Sequence, residues 1–169
     1  MDRQALRALQ EPLKTQYREA PETAVVTLKA EGTLGEGVTC SVQTGRALAE
    51  AGLHPASGGT GMELCSGDML LEALAACAGV TLRAVATSLE IPIEGGKVHT
   101  EGDLDFRGTL AVSKEAPVGF RSIRVRFELD AGDATPEQLD TLLKLTERYC
   151  VVYQTLRQSP ALSTDWATA

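Results

Sequence analysis

The run SGDMLLEALAACAGVTLRAVATSLEIP, residues 66–92, decides the fold. It opens with Ser66 or Asp68 as helix N-cap, continues through strong helix formers, and must stop before Pro92, whose ring and missing N–H break a helix. Over its middle turns Leu70, Leu71, Leu74, Ala75, Ala76, Cys77, Ala78, Val80 and Val85 leave almost no polar face. A long helix of that kind is expected to be buried on most sides, with Cys77 near its centre.

Downstream, residues 97–105 (KVHTEGDLD) and 122–130 (SIRVRFELD) read as strands. The second alternates Ile123, Val125, Phe127 and Leu129 with Arg124, Arg126 and Glu128, so one face is buried and the other solvated. Thr135-Pro136-Glu137-Gln138 is a helix start: threonine caps, proline takes the first position and glutamine closes a capping box. Leu139, Leu142, Leu143 and Leu145 line that helix, which is predicted to end near Tyr149. Cys150 then falls at its junction with a further helical turn, VVYQTLRQ. Residues 161–167 (ALSTDWA) are predicted to form a last strand.

Upstream, Leu6, Leu9, Leu13 and Tyr17 recur at helical spacing, with Pro12 a kink and Pro21 a stop, giving an amphipathic helix laid on the outside. Residues 23–30 (TAVVTLKA) and 38–44 (VTCSVQT) flank the glycine-rich EGTLGEG and predict a hairpin with Cys40 in its second strand. Residues 46–61, ending Gly58-Gly59-Thr60-Gly61, have loop composition without a phosphate-binding glycine motif, and His54-Pro55 reads as turn chemistry.

The 169-residue chain fits one domain with an ordinary core, residues 1–20 being a helical extension. Its net charge of -7 disfavours nucleic acid and anionic lipid surfaces as partners. The start lacks an export signal, and the apolar stretch around residues 69–80 is too short to span a bilayer, so a cytoplasmic protein is expected. In that compartment Cys40, Cys65, Cys77 and Cys150 are not structural disulfides. No CxxC or HxxxH spacing points to a metal, and no bound cofactor is expected.

Strand pairs interleaved with two main helices, without regular βαβ alternation, give an α+β fold. LLEALAACAG around Cys77, ERYCVVYQTL around Cys150 and GDLDF between them together resemble the OsmC/Ohr superfamily of osmotically inducible and organic hydroperoxide resistance proteins. The N-terminal ALRALQEPLKTQYREAPETAVVTLKA marks a branch distinct from its best-known peroxidases. The resemblance implies antiparallel sheets around a long central helix in an intertwined homodimer, with active sites at the subunit interface. It further implies that Cys77 attacks a hydroperoxide to become a sulfenic acid, that Cys150 resolves this to a disulfide, and that an external dithiol such as a lipoyl group reduces it.

That chemistry needs a thiolate at Cys77 and a second thiol within disulfide reach. A helix beginning at Cys150 favours a thiolate there. The family's glutamate, ten residues before its first cysteine, is matched by Gly67; Asp68 is the nearest substitute. Asp68 lies nine residues before Cys77, about 13 Å along a helix, so a catalytic role for it lies across the dimer. Glu72 points about 140° away from Cys77. The family's arginine has no match in EGTLGEG, which leaves Arg46 and Arg83 as replacements or as structural residues. Cys65 is either a further resolving thiol or, like Cys40, an apolar filler. The expected function is thiol-dependent reduction of organic hydroperoxides in oxidative stress defence. One alternative is a protein of the same fold that binds a small apolar ligand or senses thiol redox state, and another is a structural dimer whose cysteines only pack.

Overall fold

The computed structural model describes residues 2–19, 32–34, 39–43 and 48–168. Helix α1 (Arg3–Glu19) leads to strands β1 (Gly32–Leu34), β2 (Thr39–Gln43), β3 (Leu48–Gly52) and β4 (Leu64–Cys65). Then follow α2 (Ser66–Leu89), β5 (Gly95–Asp103), α3 (Phe106–Thr109), β6 (Ser122–Asp130), α4 (Pro136–Tyr149) and α5 (Val151–Arg157). One sheet has the order β1-β2-β3-β4, antiparallel except for the β3–β4 pair; β5 and β6 form a second, antiparallel sheet.

Helix α2 is the spine. Its residues Leu74, Ala78, Leu82 and Ala86 recur every fourth position and are buried against β5, α4 and α5. Leu82, Ala86, Ile91 and Leu142 form one core cluster, backed by Phe127, Leu129 and Leu143; Leu74, Ala78 and Cys150 form another, backed by Val98, Val125 and Tyr153. Burial on most sides is not met within the single chain: Ala73, Ala76 and Val80 are exposed, Val80 at 72%. The helix also exceeds the length expected of the apolar stretch. At 24 residues, with a mean hydropathy of 1.6, it is long and apolar enough to cross a membrane on those two criteria. Its N-cap is Cys65, not Ser66 or Asp68. At its other end Glu90 adopts a left-handed φ of 57°, and the Ile91 N–H bonds back to Ala86 O at 3.0 Å. That turn buries Ile91 and ends the helix ahead of Pro92.

Strand β6 keeps the expected alternation along its whole length. Its outward residues pair with β5: Arg124 with Glu101 and Asp103, and Glu128 with His99 at 3.2 Å. Helix α4 begins as its sequence predicts: Thr135 N–H donates to Gln138 Oε1 at 2.8 Å, and Gln138 N–H donates to Thr135 Oγ1 at 3.3 Å. Thr135→Ala removes half of that reciprocal cap and is expected to lower stability by about 1 kcal/mol. Urea unfolding should show the midpoint falling at constant slope, and an unchanged midpoint would refute the cap's contribution.

Other expectations are corrected. Residues 161–167 form no strand and are exposed. The stretch read as a loop contains β3, whose Leu48-Ala49-Glu50-Ala51-Gly52 has weak strand propensity and is ordered by pairing with β2 and β4. Strand β1 lies inside the segment assigned to the hairpin turn, while residues 23–30, Pro21 and Arg46 fall outside the described residues. Helix α1 runs through Pro12, and Arg3 anchors it to the end of α2 through a 2.7 Å ion pair with Glu90. The single turn α3, capped by Asp105, was not anticipated.

Candidate active site

Cys150 is the one extended residue between two helices. Its N–H bonds to Thr146 O at 2.9 Å, ending α4, and its carbonyl accepts from Gln154 N–H at 2.9 Å, starting α5. The side chain, 1% exposed, turns inward onto Leu74 and Ala78, where Cys77 packs against it from α2. The fold therefore brings together the two cysteines that lie seventy-three residues apart in sequence.

The two thiols are electrostatically unequal. Burial pushes the Cys77 thiol up, but hydrogen bonding from the Val152 backbone, the Cys150 thiol, the Val151 backbone and the Thr81 hydroxyl outweighs it and holds Cys77 below the ordinary thiol value. Cys150 is raised: burial is the main cause, and the hydrogen bond and charge of Cys77 add to it, against lowering by the amides of Tyr153 and Val152. Of the two, Cys77 ionises the more readily, with the Cys150 thiol hydrogen-bonded to it. The first amides of α5 thus lower both thiols, but at Cys150, where the helix start was expected to favour a thiolate, burial and the neighbouring Cys77 outweigh them.

The support for Cys77 was only partly visible beforehand. Thr81 stands one helical turn beyond Cys77, a spacing that places both on one face. The α5 amides carry no side-chain signature at all. Because the Cys77 pKa is depressed, its thiolate appears at lower pH than that of a free cysteine, and Cys150 follows above it. Iodoacetamide labelling across pH, read by peptide mass, should show Cys77 modified first, with Thr81→Val moving its midpoint upward and Thr81→Ser restoring it. Simultaneous labelling of both cysteines would contradict the polarity of the pair.

Beside Cys150 opens a cavity of about 520 Å³. Val125, Phe127, Leu143 and Leu156 give it an apolar lining, with Arg121, Glu147 and Arg157 as its charged residues. Neither Arg121 nor Arg157 was singled out in the sequence. Arg83, which was, is structural: it donates to the carbonyls of Ile93 and Glu94, fastening α2 to the start of β5.

The remaining candidates lie apart from the thiol pair. Asp68 is exposed in the first turn of α2 and lines a separate cavity of about 340 Å³ with His54, Cys65, Phe106 and Phe120. His54 is the turn residue expected, its Nδ1 accepting from Ala56 N–H at 3.0 Å and its ring stacked on Phe106. Cys65, at the other end of α2's N-terminal half from Cys77, is free and half-buried. Glu72 is exposed. Among the described residues no cluster of three or more histidine, cysteine or carboxylate groups is placed to hold a metal ion.

Comparison with known proteins follows the same segment. The family model described as OsmC-like protein matches residues 59–165. Curated protein sequences give no match. Among solved structures, an OsmC-like protein from Mycoplasma pneumoniae superposes with a TM-score of 0.67 at 16% identity, covering 79% of this chain and 89% of that one. An organic hydroperoxide resistance protein OsmC from Legionella pneumophila gives 0.62 at 16%, covering 79% and 91%. The organic hydroperoxide resistance protein OhrB of Bacillus subtilis gives 0.51 at 20%, covering 79% and 93%. At these identities the likeness is one of fold.

Proposed function

The chain belongs to the OsmC-like protein family, and from that premise we propose that it reduces organic hydroperoxides with Cys77 and Cys150. The observation that carries the reading is the contact of the half-buried Cys77 with the buried Cys150, a lowered thiol touching a raised one. The Cys77 thiolate attacks the peroxide oxygen, the O–O bond breaks, and with one proton the products are an alcohol and a Cys77 sulfenic acid. The Cys150 thiol then attacks that sulfur, releasing water and forming the disulfide. An external dithiol, a lipoyl group being suited, returns both thiols by exchange. The apolar lining of the cavity suits a hydroperoxide with a hydrocarbon body.

The working form in this reading is a cytoplasmic homodimer, with the exposed small apolar stripe Ala73, Ala76 and Val80 of α2 as the surface a second copy covers. Asp68 serves a thiol only across that interface. The cavity also favours a second reading, binding of a small apolar ligand without turnover.

The test is Cys150→Ser. Wild type treated with one equivalent of cumene hydroperoxide should lose two thiols and form the 77–150 disulfide. The variant should consume the first equivalent, give a dimedone adduct at Cys77, and pass to the sulfinic acid with excess peroxide. Wild type that keeps both thiols reduced under peroxide would remove the peroxidase reading and leave ligand binding.

A further inference from the structure

We propose that residues 159–168 are a strap that closes over the cavity beside Cys150 and seats Leu162 and Trp166 in it. The inference stands on the cavity and the segment alone, whatever ligand the cavity takes. The structure shows the strap open. Residues 159–168 form no helix or strand and all are exposed, Leu162 and the chain's one tryptophan, Trp166, almost completely so. Apolar side chains leave water for an apolar surface when one is within reach. Here that surface is the cavity, because the strap departs from the end of α5, where Leu156 and Arg157 line it.

Direction, length and pattern suit closure. Ser159-Pro160 directly after α5 is a turn signal, and Pro160 keeps the helix from running on. From Arg157 to Trp166 the chain spans about 30 Å when extended, against about 10 Å for the whole of α5. The strap can therefore double back along α5, from Leu156 at one end of the cavity towards Cys150 at the other. Leu162 and Trp166 stand four positions apart, a spacing that puts them on one side whether the strap is extended or helical. The cavity, about 520 Å³, is of the size that takes a small molecule, and it offers both side chains Val125, Phe127 and Leu143. Asp165 is the only charged residue of the strap, and the charges of the cavity, Arg121, Arg157 and Glu147, sum to positive. Seating Trp166 thus carries a carboxylate towards two exposed arginines. The tether makes closure intramolecular, at a roughly millimolar effective concentration. Closed, the strap covers the cavity beside Cys150, and a ligand must displace it to enter.

Trp166 itself reports closure. On the reduced full chain, acrylamide quenching of its fluorescence is measured at two protein concentrations about a hundredfold apart. Nuclear Overhauser contacts from its indole protons to the methyl groups of Val125 and Leu143 then give its location. The quenching constant should lie at least about threefold below that of the same chain unfolded in urea, be alike at both concentrations, and come with contacts to those methyls. A Trp166 as accessible in the native chain as in urea overturns the proposal. Protection without contacts to Val125 or Leu143 overturns it too, since the indole is then buried elsewhere. Protection that fades on dilution overturns it as well, because the strap then covers a second copy and not its own cavity.

Discussion

Cys77→Ser is expected to abolish hydroperoxide reduction, lowering turnover by at least about 10³-fold. In the proposed cycle the nucleophile is a thiolate, and the groups that lower the Cys77 thiol, the Val151 and Val152 amides, the Cys150 thiol and Thr81, cannot bring a serine hydroxyl near ionisation at neutral pH. Sulfur also accepts the peroxide oxygen and remains attached to it, an oxidation that alkoxide oxygen does not undergo. The substitution changes volume little, so Leu74, Ala78 and Val98 keep their packing and the far-ultraviolet dichroism should match wild type. The measurement is loss of cumene hydroperoxide in the presence of dihydrolipoamide. Turnover within about tenfold of wild type in a folded variant would show that Cys77 is not the attacking group. Cys150→Ser should differ in kind, keeping the first turnover and losing protection from over-oxidation.

The largest effect on stability is expected from Leu142→Ala, at about 3–4 kcal/mol. Leu142 is wholly buried, and it joins α4 to Leu82 and Ala86 of α2 and to Ile91 beyond the end of that helix. Cutting it to alanine removes the transfer free energy of the deleted methyl groups and leaves a void where three elements meet. Collapse to fill it is hindered because Ala86 is already small and the turn at Glu90 fixes Ile91. For a chain of this size the melting temperature should fall by about 10 °C, measured at matched protein concentration. A loss below about 1 kcal/mol would mean that the α2–α4 seam repacks and is not the core of the fold.

Where periodicity and capping chemistry were strong, the sequence was sufficient. SIRVRFELD is β6 residue for residue, and the Thr135–Gln138 box starts α4 where it should. Leu48–Gly52 was missed because two alanines and a glycine carry no strand signal, and pairing on both sides supplies what propensity lacks. The tail failed oppositely: Leu162 and Trp166 look like buried strand residues yet stand 87% and 83% exposed. Both thiols of the site were legible as residues. What lowers the Cys77 thiol was not, because the backbone N–H groups involved belong to every residue, and only a helix end leaves them free. Arg121 and Arg157 reach the cavity through β6's approach and α5's last turn, placements that depend on how the two helices and the sheet meet.

The outward face of the β5–β6 sheet bears on colloidal behaviour. Among the described residues that sheet has two strands, and an edge strand is a template for another chain to add to. Here that face carries Glu101, Asp103, Arg124, Arg126 and Glu128, whose alternating signs oppose stacking of a neutral strand. Asp103, hydrogen-bonded to Arg124 and Ser122, is held far below the usual carboxylate range, and Asp105, bonded to Arg107, is held down to about 2. A depressed carboxylate contributes above its unfolded pKa and loses that contribution only as pH falls through the folded value. The charges guarding the sheet therefore outlast those of ordinary aspartates in mild acid, where a chain of net charge -7 sheds the repulsion that keeps its copies apart.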